Sequence, residues 1–171
     1  SEHVMHKQNF IKSKLASGAS LVGAWSLSAS PMMVEVMAQS GLDFIIIDCE
    51  HGIVDTAAHY AQILAAENHQ VSPVIRVQGI DEAAIAKALD LGVHLLQVPN
   101  VHTVEDAKKV IEFAKYAPIG NRGFSPFTRA GGFCAANSET LIKAGNDNVL
   151  LGIHLEGQAA VSELDAMLTL K

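Results

Sequence analysis

Several apolar runs in this sequence end in residues that can do chemistry. LVGAWS carries Trp25 near its end, and DFIIID runs into Asp48, Glu50 and His51. PVIRV places Arg76, LLQVP places Gln97 and Pro99, and VLLGIHLE ends on His154 and Glu156. Functional side chains of parallel α/β folds collect at the C-terminal ends of strands. A polar residue at one such end is an ordinary loop residue; the same pattern at four or five ends favours a site.

DCEHG, Asp48 to Gly52, is the densest cluster. A histidine beside carboxylates can act as a general base near neutral pH. The same residues can equally form a capped loop in which Asp48 and Glu50 bond backbone amides. Arg76 stands alone in its strand and requires an anion. A ligand carboxylate and an internal ion pair with Asp48 or Glu50 both satisfy it. His154 and Glu156 are two apart, so they face the same side of a strand. Both residue types bind divalent cations, but two residues do not complete a metal site. Asp90 lies late in a helix, against the dipole, and needs a compensating partner, with His51 one candidate. Met32, Met33 and Met37 read as core packing.

The elements that must position these residues follow from periodicity and caps. Helices are expected at Asn9–Ala16, Pro31–Gln39 (capped by Ser30), Thr56–Asn68, Asp81–Gly92, Thr103–Tyr116 (capping box with Asp106), Glu139–Ala144 and Gln158–Leu168. Strands are expected at Leu21–Ser26, Asp43–Asp48, Pro73–Val77, Leu95–Val98 and Val149–Glu156, with a glycine- and aromatic-rich loop over Ala117–Ala136. Continuous apolar strands alternating with helices imply βαβ units and a parallel sheet. No GxGxxG follows a strand, so the dinucleotide fingerprint is missing.

Composition narrows the function classes. The chain has 171 residues, 49% of them hydrophobic and 18% charged, which excludes a disordered chain. No apolar run approaches the roughly 18 residues of a membrane helix. The net charge of −6 and scattered basic residues argue against nucleic acid, and Lys108, Lys109 and Lys115 read as a solvated helix face. Cys49 and Cys134 form no CxxC pattern and read as reduced thiols of a cytoplasmic protein. The N-terminal segment lacks the apolar core of a signal peptide.

Taken together, the segments GAWSLSASP (Gly23 to Pro31), GLDFIIIDCEHG (Gly41 to Gly52), PVIRV (Pro73 to Val77), ALDLGVHLLQVPNV (Ala88 to Val101), YAPIGNRGF (Tyr116 to Phe124) and IHLEG (Ile153 to Gly157) resemble the HpcH/HpaI aldolase family. The resemblance implies a (β/α)8 TIM barrel, commonly a hexamer. It also implies class II pyruvate aldolase activity, with Mg, Mn or Co as cofactor and a 2-oxo acid and an aldehyde as substrates.

By the same resemblance His51 is the catalytic histidine, paired with Asp90 as a dyad. Arg76 binds the pyruvate carboxylate or keto oxygen, Trp25 lines the pocket, and Arg122 and Gly123 match an R-G substrate motif. Glu156 matches a metal-binding glutamate. The chain departs from the pattern at His154, where the family usually has glutamine; this histidine is a further candidate ligand. The family's second metal carboxylate belongs to a later segment. About six βα units of an eight-unit barrel are counted, forming one incomplete domain over residues 1–171, so the barrel is expected to continue past Lys171. A catalytically impaired homologue serving as an assembly module, and a citrate-lyase-like carbon–carbon lyase, are the competing expectations.

Overall fold

The computed structural model describes residues 8–133 and 137–170. Cys134 therefore lies outside the described residues. Five strands form one parallel sheet in the order β1-β2-β3-β4-β5. They are β1 (Gly23–Ser26), β2 (Phe44–Asp48), β3 (Ser72–Arg76), β4 (Leu95–Val101) and β5 (Leu150–Leu155). Between them run α2 (Pro31–Ala38), α3 (Thr56–Asn68), α4 (Glu82–Asp90), and then α5 (Val104–Ala114) and α6 (Ser138–Asn148). A helix α1 (Phe10–Ala16) precedes β1, and α7 (Gly157–Ser162) and α8 (Leu164–Met167) follow β5. Spatial order equal to chain order is the progression of a barrel; a doubly wound sheet reverses at a switch point.

The count of six units is corrected to five strands among the described residues. Helix α1 precedes the first strand and has no strand of its own. It plugs the N-terminal edge of the sheet. Ile11 packs on Ile46 and Val74, and the Asn9 amide donates to the carbonyls of His94 (2.7 Å) and Asn148 (2.6 Å).

Side-chain alternation sorts the strands into two faces. Ile45, Ile47, Ile75, Leu96 and Val98 point outward into the helix layer, where they meet Val34, Ile63, Ile85, Leu89 and Val110. The opposite face is stacked in layers. Trp25, Ile46, Val74, Leu95 and Leu150 lie in register across all five strands. The next inward row is Asp48, Arg76, Gln97 and Gly152, and His154 comes one step higher. An apolar layer below and a charged layer above is what lifts polar side chains to the C-terminal edge.

The helices start where the caps are. Ser30 accepts from the Met33 amide, Asp55 from Ala57 and Ala58, Asp81 from Ala84, and Thr103 and Asp106 form the reciprocal box. Three other expectations change. Met32 and Met33 are exposed, because α2 turns Val34, Met37 and Ala38 toward the sheet. Lys115 is not on a solvated face, since its ammonium donates to the carbonyls of Asn146 and Val149 and burial pushes its pKa down. The helix expected over 158–168 breaks at Glu163, whose carboxylate instead accepts the Val104 amide at 2.6 Å.

Candidate active site

The C-terminal edge of the sheet gathers one guanidinium and three carboxylates. Arg76 donates through Nε to Asp48 Oδ1 (2.9 Å) and through Nη2 to Asp48 Oδ2 (2.6 Å). Its Nη1 lies 3.1 Å from Glu50 Oε2. The third carboxylate, Glu156, acts on Arg76 through its charge. The Trp25 ring covers the guanidinium at 4.3 Å. Asp48 Oδ1 also accepts the amides of Glu50 (3.0 Å) and His51 (3.3 Å), so one carboxylate builds the turn and orients the arginine. Burial alone would raise the Asp48 pKa. The Arg76 hydrogen bond and the two amides outweigh it and hold the group below the ordinary value. Arg76 is correspondingly pushed up, chiefly by its Asp48 bond. The capped loop and the internal ion pair, both left open by the sequence, are thus what Asp48 and Arg76 form.

Gly52 closes the turn for a steric reason. A Cβ there would sit 2.2 Å from the Asp48 carbonyl oxygen and 3.0 Å from that of Leu27. The turn carries His51 to the rim, where its side chain is 68% exposed and Nε2 is 3.9 Å from Glu50 Oε2. Cys49 points the other way, toward the helix layer, 3.7 Å from His59 Nδ1. Burial, followed by the charge of Asp48, pushes its thiol up to about 11, so it is no nucleophile.

On β5, His154 and Glu156 do share a side, with His154 Nδ1 3.6 Å from Glu156 Oε1. Glu156 is the N-cap residue of α7, yet its side chain caps nothing there. Its Oε2 accepts the Asn100 amide at 3.1 Å instead. Asn100 is the residue that sequence reasoning missed. It sits at a positive φ of 60°, within the irregularity of β4 between Val98 and Val101, and its side chain also donates to Glu50 Oε1 at 3.2 Å. An asparagine after the proline of VPNV, tolerant of left-handed backbone, was the available signal.

The structure does not bring Asp90 or Arg122 to this edge. Asp90 is the last residue of α4, and a helix in a βαβ unit ends at the N-terminal edge of the sheet. There Arg122 Nη2 donates to Asp90 Oδ1 at 2.8 Å, and its guanidinium stacks on Tyr116 at 4.5 Å. No hydrogen bond or ion pair joins His51 to Asp90 among the described residues. A dyad within one chain is therefore not what this fold builds. Gly123 follows Arg122 on the same loop. Farther along, Arg129 is buried against Glu67 and donates to the Leu91 carbonyl at 2.9 Å, fastening the loop under the sheet.

A divalent cation is tested by the donor set. Three carboxylates around one guanidinium leave negative charge in excess, and Glu156 has an imidazole nitrogen beside it. Oxygen and imidazole donors of this kind fit a hard or borderline cation. Among the described residues no three His, Cys, Asp or Glu side chains converge as a self-sufficient metal cluster. Glu156 and His154 offer two donor atoms 3.6 Å apart, which is fewer than a complete metal site needs.

Sequential parallel strands, with a charged cluster at their C-terminal edge, define a barrel-type α/β protein carrying its site in the βα loops. The HpcH/HpaI aldolase/citrate lyase family model matches residues 21–171, and the chain belongs to that family. It is 32% identical over 163 residues to a pyruvate aldolase of Rhizobium etli, covering 95% of this chain and 63% of that protein. It is 35% identical over 166 residues to a 4-hydroxy-2-oxovalerate aldolase of Novosphingobium aromaticivorans, covering 93% and 63%. The crystal structure of an HpcH/HpaI aldolase from Desulfitobacterium hafniense superposes with a TM-score of 0.86 at 30% identity, covering 95% of this chain and 62% of that one. The chain therefore spans somewhat less than two thirds of these relatives. No described helix is long and apolar enough to cross a membrane.

Proposed function

We propose that the chain carries the 2-oxo-acid site of a divalent-metal-dependent carbon–carbon lyase. The reaction is reversible aldol cleavage of a 4-hydroxy-2-oxo acid to pyruvate, or a close 2-oxo acid, and an aldehyde. The observation that carries this reading is the convergence of Arg76, Glu156 and His51 at one edge of the sheet, in a member of this family.

Arg76 is pre-oriented by Asp48, so little freedom is lost when it meets a carboxylate. Its Nε and one Nη2 hydrogen are engaged by Asp48 and its Nη1 pairs with Glu50, so a substrate carboxylate would meet the remaining Nη hydrogens or displace Glu50. Fixed positive charge there stabilises negative charge that develops on the 2-oxo acid. Trp25 stacks over the guanidinium and would form one wall of the pocket.

A divalent cation held at Glu156 would supply Lewis acidity toward the carboxylate and keto oxygens of the substrate. His51 Nε2 takes the proton of the C4 hydroxyl. The C3–C4 bond then breaks, its electron pair passes to the enolate of the 2-oxo acid, and the aldehyde leaves. His51 then returns that proton to C3, which completes the turnover and restores the base. Among the described residues no lysine stands at the charged layer to form an imine.

Asp90 can orient His51 only between copies. The strands separating the two edges are five residues long, about 16 Å of chain. Asp90 of one copy meeting His51 of another makes the site depend on a homo-oligomer. Arg122 and Gly123 would reach the substrate by the same route.

The test is exchange of pyruvate methyl protons into deuterated water, followed by NMR. Exchange dependent on Mg, Mn or Co, and lost in His51→Ala, is expected. Metal-independent exchange, or none, would overturn the reading. Mixing His51→Ala with Asp90→Ala should restore part of the exchange if the dyad forms between copies. No recovery after verified co-assembly would sink the dyad.

A further inference from the structure

We propose that His154 is a metal ligand, and that it tunes this site toward borderline cations such as Co²⁺ over Mg²⁺. The inference rests on the metal-dependent reading above and deepens it. His154 Nε2 lies 3.3 Å from Gln97 Oε1. A carboxamide oxygen only accepts, so Nε2 is the donor in that contact and Nδ1 is the ring nitrogen left to face Glu156. Nδ1 faces Glu156 Oε1 across 3.6 Å, too far for a hydrogen bond. A ring nitrogen and a carboxylate oxygen held at that separation leave room for a cation between them.

The gap suits a cation. Two donors each about 2.1 Å from one ion stand about 3.0–3.4 Å apart at cis or tetrahedral angles. The observed separation needs a shift of only a few tenths of an ångström. Gln97 then plays the part that outer partners play at metal-bound histidines, fixing the tautomer and the ring direction. The Trp25 ring, edge-on at 6.2 Å, holds the imidazole from its other side. None of these contacts buries His154 as a packing residue, since its side chain remains 23% exposed at the charged layer. Imidazole favours Co, Ni and Zn, whereas Mg is served by oxygen donors alone. The expected signature is therefore a change in metal preference as well as in affinity.

The experiment titrates Co²⁺ and Mg²⁺ into the wild-type chain, His154→Gln and Glu156→Gln. Trp25 is the single tryptophan, so its quenching by Co²⁺ reports binding at this site independently of turnover. Proton NMR of the Co²⁺ form adds a second readout, a hyperfine-shifted exchangeable imidazole N–H. His154→Gln should weaken Co²⁺ at least about tenfold, by analogy with losses at metal-bound histidines. It should leave Mg²⁺ within about twofold and remove the shifted N–H. Retained Co²⁺ affinity and an unchanged shifted spectrum in His154→Gln would overturn the proposal. In that case, loss of both metals in Glu156→Gln would leave the metal-dependent reading standing. Failure of the wild-type chain to bind either ion would overturn both.

Discussion

Asp48→Asn isolates what the charged layer contributes to stability. Asparagine keeps the size of the side chain and an oxygen for the amides of Glu50 and His51. It also sets an NH₂ against Arg76 Nη2, where the structure has a 2.6 Å bond to a carboxylate. Asp48 is 2% exposed, so the loss is that of a buried ion pair, about 3–5 kcal/mol. Arg76 retains Glu50 and the Trp25 face, which places the expectation near the lower bound, about 3 kcal/mol. With a urea slope of about 2 kcal/mol per molar, the unfolding midpoint should fall by about 1.5 M. Arg76→Met and the double variant close the cycle and should give a coupling of about 2 kcal/mol. The pH dependence has a defined sign. The Asp48 pKa is lowered in the folded state, so its contribution is complete above the ordinary 3.8 and disappears as pH falls through the lower folded value. The gap between wild type and Asp48→Asn should be flat from neutral pH down to about pH 5 and close in stronger acid. A loss under about 1 kcal/mol, a coupling near zero, or a gap that widens in acid would refute the reasoning.

Three further outcomes follow from single contacts. Gly52→Ala forces a Cβ to within 2.2 Å of the Asp48 carbonyl, so it should cost at least about 2 kcal/mol in thermal or urea unfolding; a neutral result would mean the DCEHG turn is loose. With its thiol pushed up to about 11, Cys49 should alkylate at well under about 1% of the rate of a free thiol at pH 8, measured in Cys134→Ser by mass spectrometry, and accelerate only in strong base. Rapid labelling at pH 8 would contradict the burial. Arg129→Met removes the guanidinium between Glu67 and the Leu91 carbonyl and should release the loop under the sheet. Hydrogen exchange should report this at the Ala130 amide, which donates to Asp90 O at 3.1 Å, by at least about tenfold faster exchange; unchanged protection would show that other contacts hold the loop.

What the sequence made legible was local. Caps at Ser30, Asp81 and Thr103 start helices where they were read, and the apolar runs ending at Asp48, Arg76 and Glu156 are strands of a parallel sheet. Their polar ends converge because period-two alternation fixes which face each residue takes. Contacts across the sheet were less accessible. That Asn100 bridges Glu50 and Glu156 depends on an irregularity in β4 that no periodicity announces. The burial of Arg129 on Glu67 joins residues 62 apart through a loop with no repeating pattern. The exposure of Met32 and Met33 depends on which way α2 rolls, a matter of packing against Ile45 and α3 rather than of composition.

The pairing of His51 with Asp90 shows how topology constrains chemistry that motifs alone leave free. The family resemblance pairs the two residues, and the sequence alone does not say which edge of the sheet each takes. The βαβ rule forbids it within one chain. Asp90 ends a helix and His51 follows a strand, so the fold must place them at opposite edges of the sheet. The local electrostatics agree, because Asp90 already has a cation in Arg122, which offsets its position at a helix C-terminus. The His51 ring, at the rim, has Glu50 at 3.9 Å as its charged neighbour among the described residues. An acid fixed by a buried arginine yet itself 35% exposed, and an exposed histidine at the other edge, are complementary groups that one chain cannot join. The catalytic pairing, if it forms, must follow from assembly. Loss of oligomer should then remove proton exchange while leaving the Asp48–Arg76 pair and Co²⁺ binding at Glu156 intact.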